Sequence, residues 1–243
     1  IFLSVKSIFI NLTPLIFFGL FFKYVPTISQ CIYFLLLEKC SRQLNPINPQ
    51  QRFIYQVVDV IRKGGVIVYP TDSRYALGCR VGEKQALDSI KCIRQLDDKH
   101  NFTLVCKSLA QSSSFAKLSN DAHRLIKLLT PGPFTFIADA TKEVPRRMMH
   151  AKRKTIGIRI PDNKIALAIV EELGEPLLSA SLILPNEVYA LSDPYEIREQ
   201  LDNELDLIID AGIVEGQNST IISCTDGQVE IIRQGIGEAP MLA

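Results

Sequence analysis

From about position 45 to the end, this sequence predicts an α/β domain built on a twisted, mixed, largely parallel sheet flanked by helices. Three observations carry that expectation. Short β-branched apolar runs, such as Val66-Ile67-Val68-Tyr69 and Ile156 to Ile160, alternate with stretches of helical periodicity. Helix caps and glycine stops punctuate the joins. The chain then closes with two strand-like runs around Asp226-Gly227, a hairpin signal that adds antiparallel pairing.

The elements follow in order. Asn48 as cap and Pro49 as first helical residue open a helix at Gln50, whose apolar stripe Phe53, Val57, Val60 and Ile61 ends at Gly64-Gly65. Val66 to Tyr69 is a buried strand stopped by Pro70, so Thr71-Asp72-Ser73 lies at the carboxyl edge, where α/β sheets bind ligands. A strand near Ala76 to Val81, a helix from Lys84 to Arg94 and a strand from Phe102 to Cys106 come next. Ser108 and Ser119 or Asn120 open two short helices, and Pro131-Gly132-Pro133 turns the chain into a strand from Phe134 to Ala138. Ile156 to Ile160 is a strand, and Asp162 or Asn163 caps a helix that runs through Leu173 to its stop at Gly174. A strand from Pro176 to Leu184, a helix opened by Ser192-Asp193-Pro194 and running to Leu201, a strand from Leu207 to Asp210 and the hairpin Ser219 to Ser223 with Val229 to Arg233 complete the series.

The 243 residues suffice for one sizeable core. The balance of 27 Lys+Arg against 26 Asp+Glu leaves a formal charge of +1, so no whole-molecule field recruits nucleic acid or a membrane, and any anion site must arise from local clustering. Six cysteines without a C-x-x-C pair read as reduced, mostly buried thiols of a cytoplasmic protein. His100, His123 and His150 are too far apart to suggest a metal site.

Residues 1–44 read as a hydrophobic extension outside the fold. Ile1 to Leu37 holds seven of the twelve phenylalanines and only two charges, Lys6 and Lys23, and the first methionine of the chain is Met148. The apolar stretches there are broken by Pro14 and Pro26 and fall short of the roughly 20 residues that span a bilayer. Upstream sequence translated from a misplaced start is preferred over a membrane-touching extension or a signal peptide, so no membrane partner is expected.

No G-x-x-x-x-G-K-[ST], G-x-G-x-x-G or G-x-S-x-G motif occurs, which excludes the commonest phosphate cradles and serine nucleophile. Four other features carry chemistry. Thr71-Asp72-Ser73 offers two hydroxyls and a carboxylate, or is an ordinary polar turn. Pro131-Gly132-Pro133-x-Thr135 fixes a backbone direction beside one hydroxyl, and alone it is simply a turn. Lys142, Arg146, Arg147, Lys152, Arg153 and Lys154 crowd into a short run that is either a solvated face or a grip for phosphate or RNA backbone, with Arg159 in the strand after it. Ser179-Ala180-Ser181 ends an apolar strand, its hydroxyls either satisfied by backbone or facing a ligand.

Taken in order and spacing, Gly64 to Asp72, Tyr75 to Gly78, Pro131 to Phe136, Gly157-Ile158-Arg159, Leu178 to Ser181 and Arg233-Gln234-Gly235 resemble the YrdC/YciO family, the threonylcarbamoyl-AMP synthases and their relatives. The match runs from about Gln50 to Glu238. Ile93 to Leu96, His100 to Leu104 and Glu143 to Arg147 bring it nearest the YciO branch. The resemblance implies a single YrdC-like domain whose concave cleft is positively lined. It implies synthesis of threonylcarbamoyl-AMP from L-threonine, bicarbonate and ATP, with Mg²⁺ accompanying the nucleotide and no tightly bound cofactor, and with transfer to tRNA by modification proteins. Carried over by position, Thr71 would hold threonine, Arg159 its carboxylate or the carbamoyl group, Ser181 a nucleotide phosphate and Arg233 the triphosphate, with Arg94, Thr135 and Ser179 in the same site. The synthases' Lys-x-Arg and Ser-x-Asn pairs stand here as Arg94-Gln95-Leu96 and Ser181-Leu182-Ile183. Losing a charged donor removes about 1.5–3 kcal/mol, so the activity implied is weak or altered. The alternative is a non-catalytic relative that binds double-stranded RNA or nucleotide through Arg146, Arg147, Lys152, Arg153 and Lys154.

Overall fold

The computed structural model describes residues 41–97 and 99–242. The apolar N-terminal segment through Leu37, with Cys31 and Cys40, lies outside them.

Among the described residues, eleven strands form one sheet. In chain order these are β1 Ser41–Gln43, β2 Ile67–Pro70, β3 Tyr75–Arg80, β4 Thr103–Val105, β5 Ala116–Lys117, β6 Phe134–Ala140, β7 Thr155–Arg159, β8 Leu177–Ser181, β9 Leu207–Asp210, β10 Thr220–Ser223 and β11 Glu230–Arg233. The helices are α1 Gln51–Arg62, α2 Lys84–Arg94, α3 Leu109–Ser112, α4 Asn120–Leu129, α5 Lys164–Leu173 and α6 Pro194–Leu201. Strand order across the sheet is β1-β9-β2-β3-β8-β4-β7-β6-β10-β11, with β5 added to β6.

The sheet is mixed, as expected, but its parallel share is smaller than the alternation of helix and strand suggested. Parallel pairing joins β1 to β9, β2 to β9, β4 to β7 and β6 to β10. The other pairings are antiparallel. The reason lies in short connections: a four-residue turn after Pro70 folds β3 back on β2, and β8 inserts between β3 and β4 antiparallel to both.

Two further differences concern the start of the domain. Ser41–Gln43 pairs with Ile208 to Asp210, and Leu44 is buried in the core, so the sheet begins before position 45. Gln50, without a side-chain capping bond, precedes the first helix rather than Asn48. Asn45 Oδ1 instead accepts the amides of Ile47 and Asn48 at 2.9 and 3.1 Å, which holds that stretch in an Asx turn. Elsewhere the punctuation acts as read: Ser108, Ser119, Asn163 and Asp193 each cap a helix through the side chain. Gly174 closes α5 at φ +79°, which a glycine adopts without strain. Among the described cysteines, Cys79, Cys106 and Cys224 are buried and Cys92 is exposed. Burial pushes the first two thiols up to about 12 and the third to about 11, so they act as small hydrophobes.

Alternate strand residues point to opposite faces of a sheet, and the two faces are covered unequally. One face carries the larger core, with Val68, Leu77, Leu104, Phe136, Ile158 and Leu178 against Ile90 of α2 and Ile126 of α4. The other is covered over β9, β2, β3 and one end of β8 and β4, where Ile67, Tyr69, Leu177 and Val105 meet Ile54 and Ile61 of α1 and Ile165 and Ile169 of α5. Beyond that cover, Thr103, Gly157, Thr135, Ile137 and Ile221 share the second face by register and line a cleft.

Gly157 in the floor of that cleft has no room for a side chain: an added Cβ would sit 2.7 Å from Thr103 Oγ1 and 3.1 Å from the Phe102 carbonyl oxygen. Gly157→Ala is expected to lower the unfolding free energy by about 1–3 kcal/mol, read from urea midpoints, because β4 and β7 must part to admit the methyl group.

Candidate functional site

The cleft encloses about 300 Å³, the lower end of the range for small-molecule sites. Arg94, Lys99 and Arg233 supply its cations, and among the described residues no carboxylate lines it. Thr103, Thr135, Ser181 and Ser219 supply hydroxyls, while Ile137, Ile183 and Ile221 supply apolar wall.

Two of these cations are held by backbone. Arg94, in the last turn of α2, donates from Nε to the Ile183 carbonyl at 2.8 Å. Arg233, at the end of β11, donates from Nη2 to the Ser219 carbonyl at 2.9 Å, and the Ser219 and Thr135 hydroxyls are 3.0 Å apart. Burial draws Arg94 down to about 10, and burial with the nearby Arg159 charge lowers Arg233. Arg94 thus keeps its charge at neutral pH.

Beside the cleft lies a buried cluster. Arg159 ends β7, its side chain 7% exposed, and its Nη2 donates to Asp72 Oδ1, to Ser73 Oγ at 2.9 Å and to Thr71 Oγ1 at 3.4 Å. The second Asp72 oxygen accepts the backbone N–H of Asp162 at 2.8 Å, which ties the β2–β3 turn to the entry of α5. Arg159 Nε is buried without a hydrogen-bond partner. Below it, Tyr69 Oη and Ser179 Oγ are 2.6 Å apart, and burial raises the phenol to about 12.

The structure therefore sorts the site residues read from the sequence into groups. Arg94, Thr135, Ser181 and Arg233 meet in one cleft. Thr71, Arg159 and Ser179 are buried, with exposures of 2%, 6% and 4%, and lie in the adjoining cluster rather than in the cleft wall. The Thr71 hydroxyl donates to the Arg74 carbonyl at 2.6 Å, closing the turn, so the polar-turn reading describes its bonds. Leu96 does not occupy a place in the cleft wall: it packs against the larger core, whereas Ile183 does line the cleft. Of the basic run, Arg146, Arg147 and Lys154 line a second cavity and Lys152 and Arg153 are exposed.

Lys99, Asn101, Thr103 and Ser219 went unread in the sequence. No motif marks them: Thr103 reaches the cleft through the register of β4 with β7, and Lys99, Asn101 and Ser219 lie in the segments leading into β4 and β10. Asp72 was visible as a turn carboxylate, but its partner lies 87 residues away.

A sequence model of the Sua5/YciO/YrdC domain, described as "Telomere recombination", matches residues 59–235. The chain belongs to that family. It is 54% identical to a Haemophilus influenzae protein over 201 residues, covering 82% of this chain and 97% of that one. To YciO of Escherichia coli it is 52% identical over 195 residues, covering 80% and 95%. The crystal structure of E. coli YciO superposes with a TM-score of 0.81 over 84% of this chain and 98% of that chain. Sua5 of P. abyssi, solved in complex with L-threonine, shares the fold at 23% identity and a TM-score of 0.74, over 80% of this chain and 57% of that one. Among the described residues, no cluster of His, Cys, Asp and Glu has the makings of a metal site, and no helix is long and apolar enough to cross a membrane.

The buried pair sets a first expected outcome. Asp72→Ala leaves the Arg159 guanidinium buried without its anion, a loss of about 3–5 kcal/mol in urea unfolding. Removing Glu175, whose partner Arg80 is 41% exposed, is expected to leave the midpoint unchanged within error. A second outcome concerns His100, which burial and the nearby Arg94 draw down from 6.5 to about 4. Between those values the unfolded chain takes up a proton that the folded ring refuses. The stability from the neutral ring is therefore complete above pH 6.5 and is lost as pH falls toward 4. His100→Phe should lose about 1–2 kcal/mol less than the parent between pH 7 and pH 4.5, the shift being discounted for the ring's partial exposure.

Proposed function

We propose that the cleft binds ATP and L-threonine, and that the protein forms threonylcarbamoyl-AMP from L-threonine, bicarbonate and ATP. One observation carries this reading: three cations and four hydroxyl side chains line a cavity without a carboxylate among its described lining residues, while a buried arginine with an unpaired Nε lies beside it. All three substrates are anionic or carry a carboxylate at neutral pH. The threonine complex of the fold relative Sua5 makes L-threonine the amino acid to test first.

In this reading the threonine amine attacks the bicarbonate carbon, water leaves, and the resulting carbamate oxygen attacks the α-phosphorus as the bond to pyrophosphate breaks. Nothing in the sequence requires a covalent enzyme intermediate. The residues align three reactants that each present anionic oxygens and neutralise the departing pyrophosphate. Arg233 and Lys99 suit the triphosphate, Thr135, Ser181 and Ser219 suit phosphate and ribose oxygens, and the Arg159 Nε suits the threonine carboxylate or the carbamate. Asp72 holds Arg159 through Nη2 and is a positioning residue. Mg²⁺ enters with the nucleotide. Ile183 contributes apolar wall where the synthases have a polar residue, which sets the rate low. The substrates place the reaction in the cytoplasm, and the product is passed to partners that modify tRNA.

The test is pyrophosphate release by the purified chain with ATP, Mg²⁺, bicarbonate and L-threonine. Release that requires all three substrates is expected, and Arg233→Ala should cut kcat/KM for ATP about 10- to 100-fold, the worth of a charge-assisted hydrogen bond. ATP binding without any release at high enzyme concentration would leave a nucleotide-binding protein in place of a synthase.

A further inference from the structure

Arg94 and Arg233, the two cleft cations fixed by backbone, depend on carbonyl groups from two separate segments. The Ile183 carbonyl that holds Arg94 lies between β8 and α6, and the Ser219 carbonyl that holds Arg233 ends the nine-residue connection from β9 to β10. Six strands separate β9 from β10 in the sheet, so residues 211–219 form a strap across it, with no helix or strand of their own.

One side chain ties both segments to the β2–β3 turn. Arg74 donates from Nε to the Gly216 carbonyl of the strap at 2.7 Å, and from Nη1 to the Ala190 carbonyl of the other segment at 2.8 Å. Its guanidinium also lies over the Tyr189 ring, 5.2 Å from the centroid. Every partner in these contacts is neutral, so the side chain acts as a fork between carbonyls. Around it the two segments bond each other: Asn218 Nδ2 donates to the Val188 carbonyl at 3.1 Å, and the Val214 amide to the Ser192 carbonyl at 2.9 Å. Gly216 lies so close to the Ser73 carbonyl of the turn that any side chain there would collide with it.

We propose that Arg74 is a positioning residue of the cleft: by clasping the two segments it sets the places of Ile183 and Ser219, and through their carbonyls the aim of Arg94 and Arg233 at the nucleotide phosphates. Both paths are short. Gly216 stands three residues before Ser219. Ala190 is followed by Leu191, whose amide bonds the carbonyl of Leu182, the neighbour of Ile183, at 2.8 Å. Cations aimed in advance spare the ligand the entropy of ordering them. The Thr71–Asp72–Arg159 network, by contrast, takes from Arg74 only its backbone carbonyl, which accepts the Thr71 hydroxyl, so it does not need this side chain. The role of Arg74 rests on the cleft being the ATP site and not on the acyl-adenylate chemistry.

The experiment titrates the full chain and its Arg74→Ala, Arg74→Lys and Asn218→Ala variants with Mg²⁺–ATP and with L-threonine in a calorimeter, with circular dichroism and urea midpoints to confirm folding. Arg74→Ala is expected to bind ATP about 10-fold more weakly, while its affinity for L-threonine stays within about twofold. Arg74→Lys keeps the charge but has no fork to bridge two carbonyls, so its ATP affinity should lie within about threefold of the alanine variant's. Asn218→Ala removes another bond between the same segments and should weaken ATP binding about threefold. An Arg74→Ala variant with a lower urea midpoint and the parent's ATP affinity would show that Arg74 serves the fold alone, and overturn the proposal. So would the parent's ATP affinity in Arg74→Lys, which would make the effect one of charge, or equal losses for ATP and L-threonine, which would make it a general loosening. If neither Arg74 variant folds, Asn218→Ala with unchanged ATP affinity overturns it. A parent chain that binds ATP but releases no pyrophosphate ends the synthase reading and leaves the clasp to be judged by these affinities; a parent that binds no ATP ends both.

Discussion

The site depends on a charge pair that the fold can hardly do without. Arg159 and Asp72 have side chains only 7% and 9% exposed, and neither would be stable there alone. Together with the Thr71 and Ser73 hydroxyls and the Asp162 amide, they join the β2–β3 turn, the end of β7 and the entry of α5. The turn is far in sequence from the other two segments. The same contacts that keep the buried guanidinium stable also fix its direction, with Nη2 toward Asp72 and Nε unpaired.

The cleft exists because helices cover one face of the sheet incompletely. α1 and α5 pack over β9, β2 and β3, and no comparable apolar residues occur on the same face at Thr103, Gly157 and Thr135. There a polar floor meets the ends of α2 and β11, which bring Arg94 and Arg233 to its rim. Small residues are needed beneath: Gly157 lies against Thr103, and Gly78 against the Tyr69 ring and Leu177, with no space for a Cβ. Strand spacing and site shape are thus one constraint.

Electrostatics is local throughout. A formal charge of +1 gives no overall attraction for anions, yet the two adjoining cavities hold most of their charge as cations, with Asp97 the only carboxylate among the described residues lining either. Carboxylates elsewhere balance the total. Arg94 and Arg233 lose part of their solvation, which lowers both, and a phosphate ligand would offset that loss.

Much of the fold was legible in the sequence, because helix caps, glycine stops and β-branched runs act over a few residues. Ser108, Ser119, Asn163, Asp193 and Gly174 work where they were read, and α2 begins and ends at the residues named. Family resemblance brought Arg94, Thr135, Ser181 and Arg233 together correctly as neighbours. Strand order was not legible. The insertion of β8 between β3 and β4, and the pairing of Ser41–Gln43 with β9, are settled by which apolar faces can be buried together, a property of the assembled sheet. For the same reason the sequence could name Thr71, Arg159 and Leu96 but not say that the Thr71 hydroxyl and Arg159 Nη2 would be engaged in a buried network and Leu96 packed on the core. A residue's type fixes which bonds it can make, and only the packed neighbours decide which of them remain for a ligand.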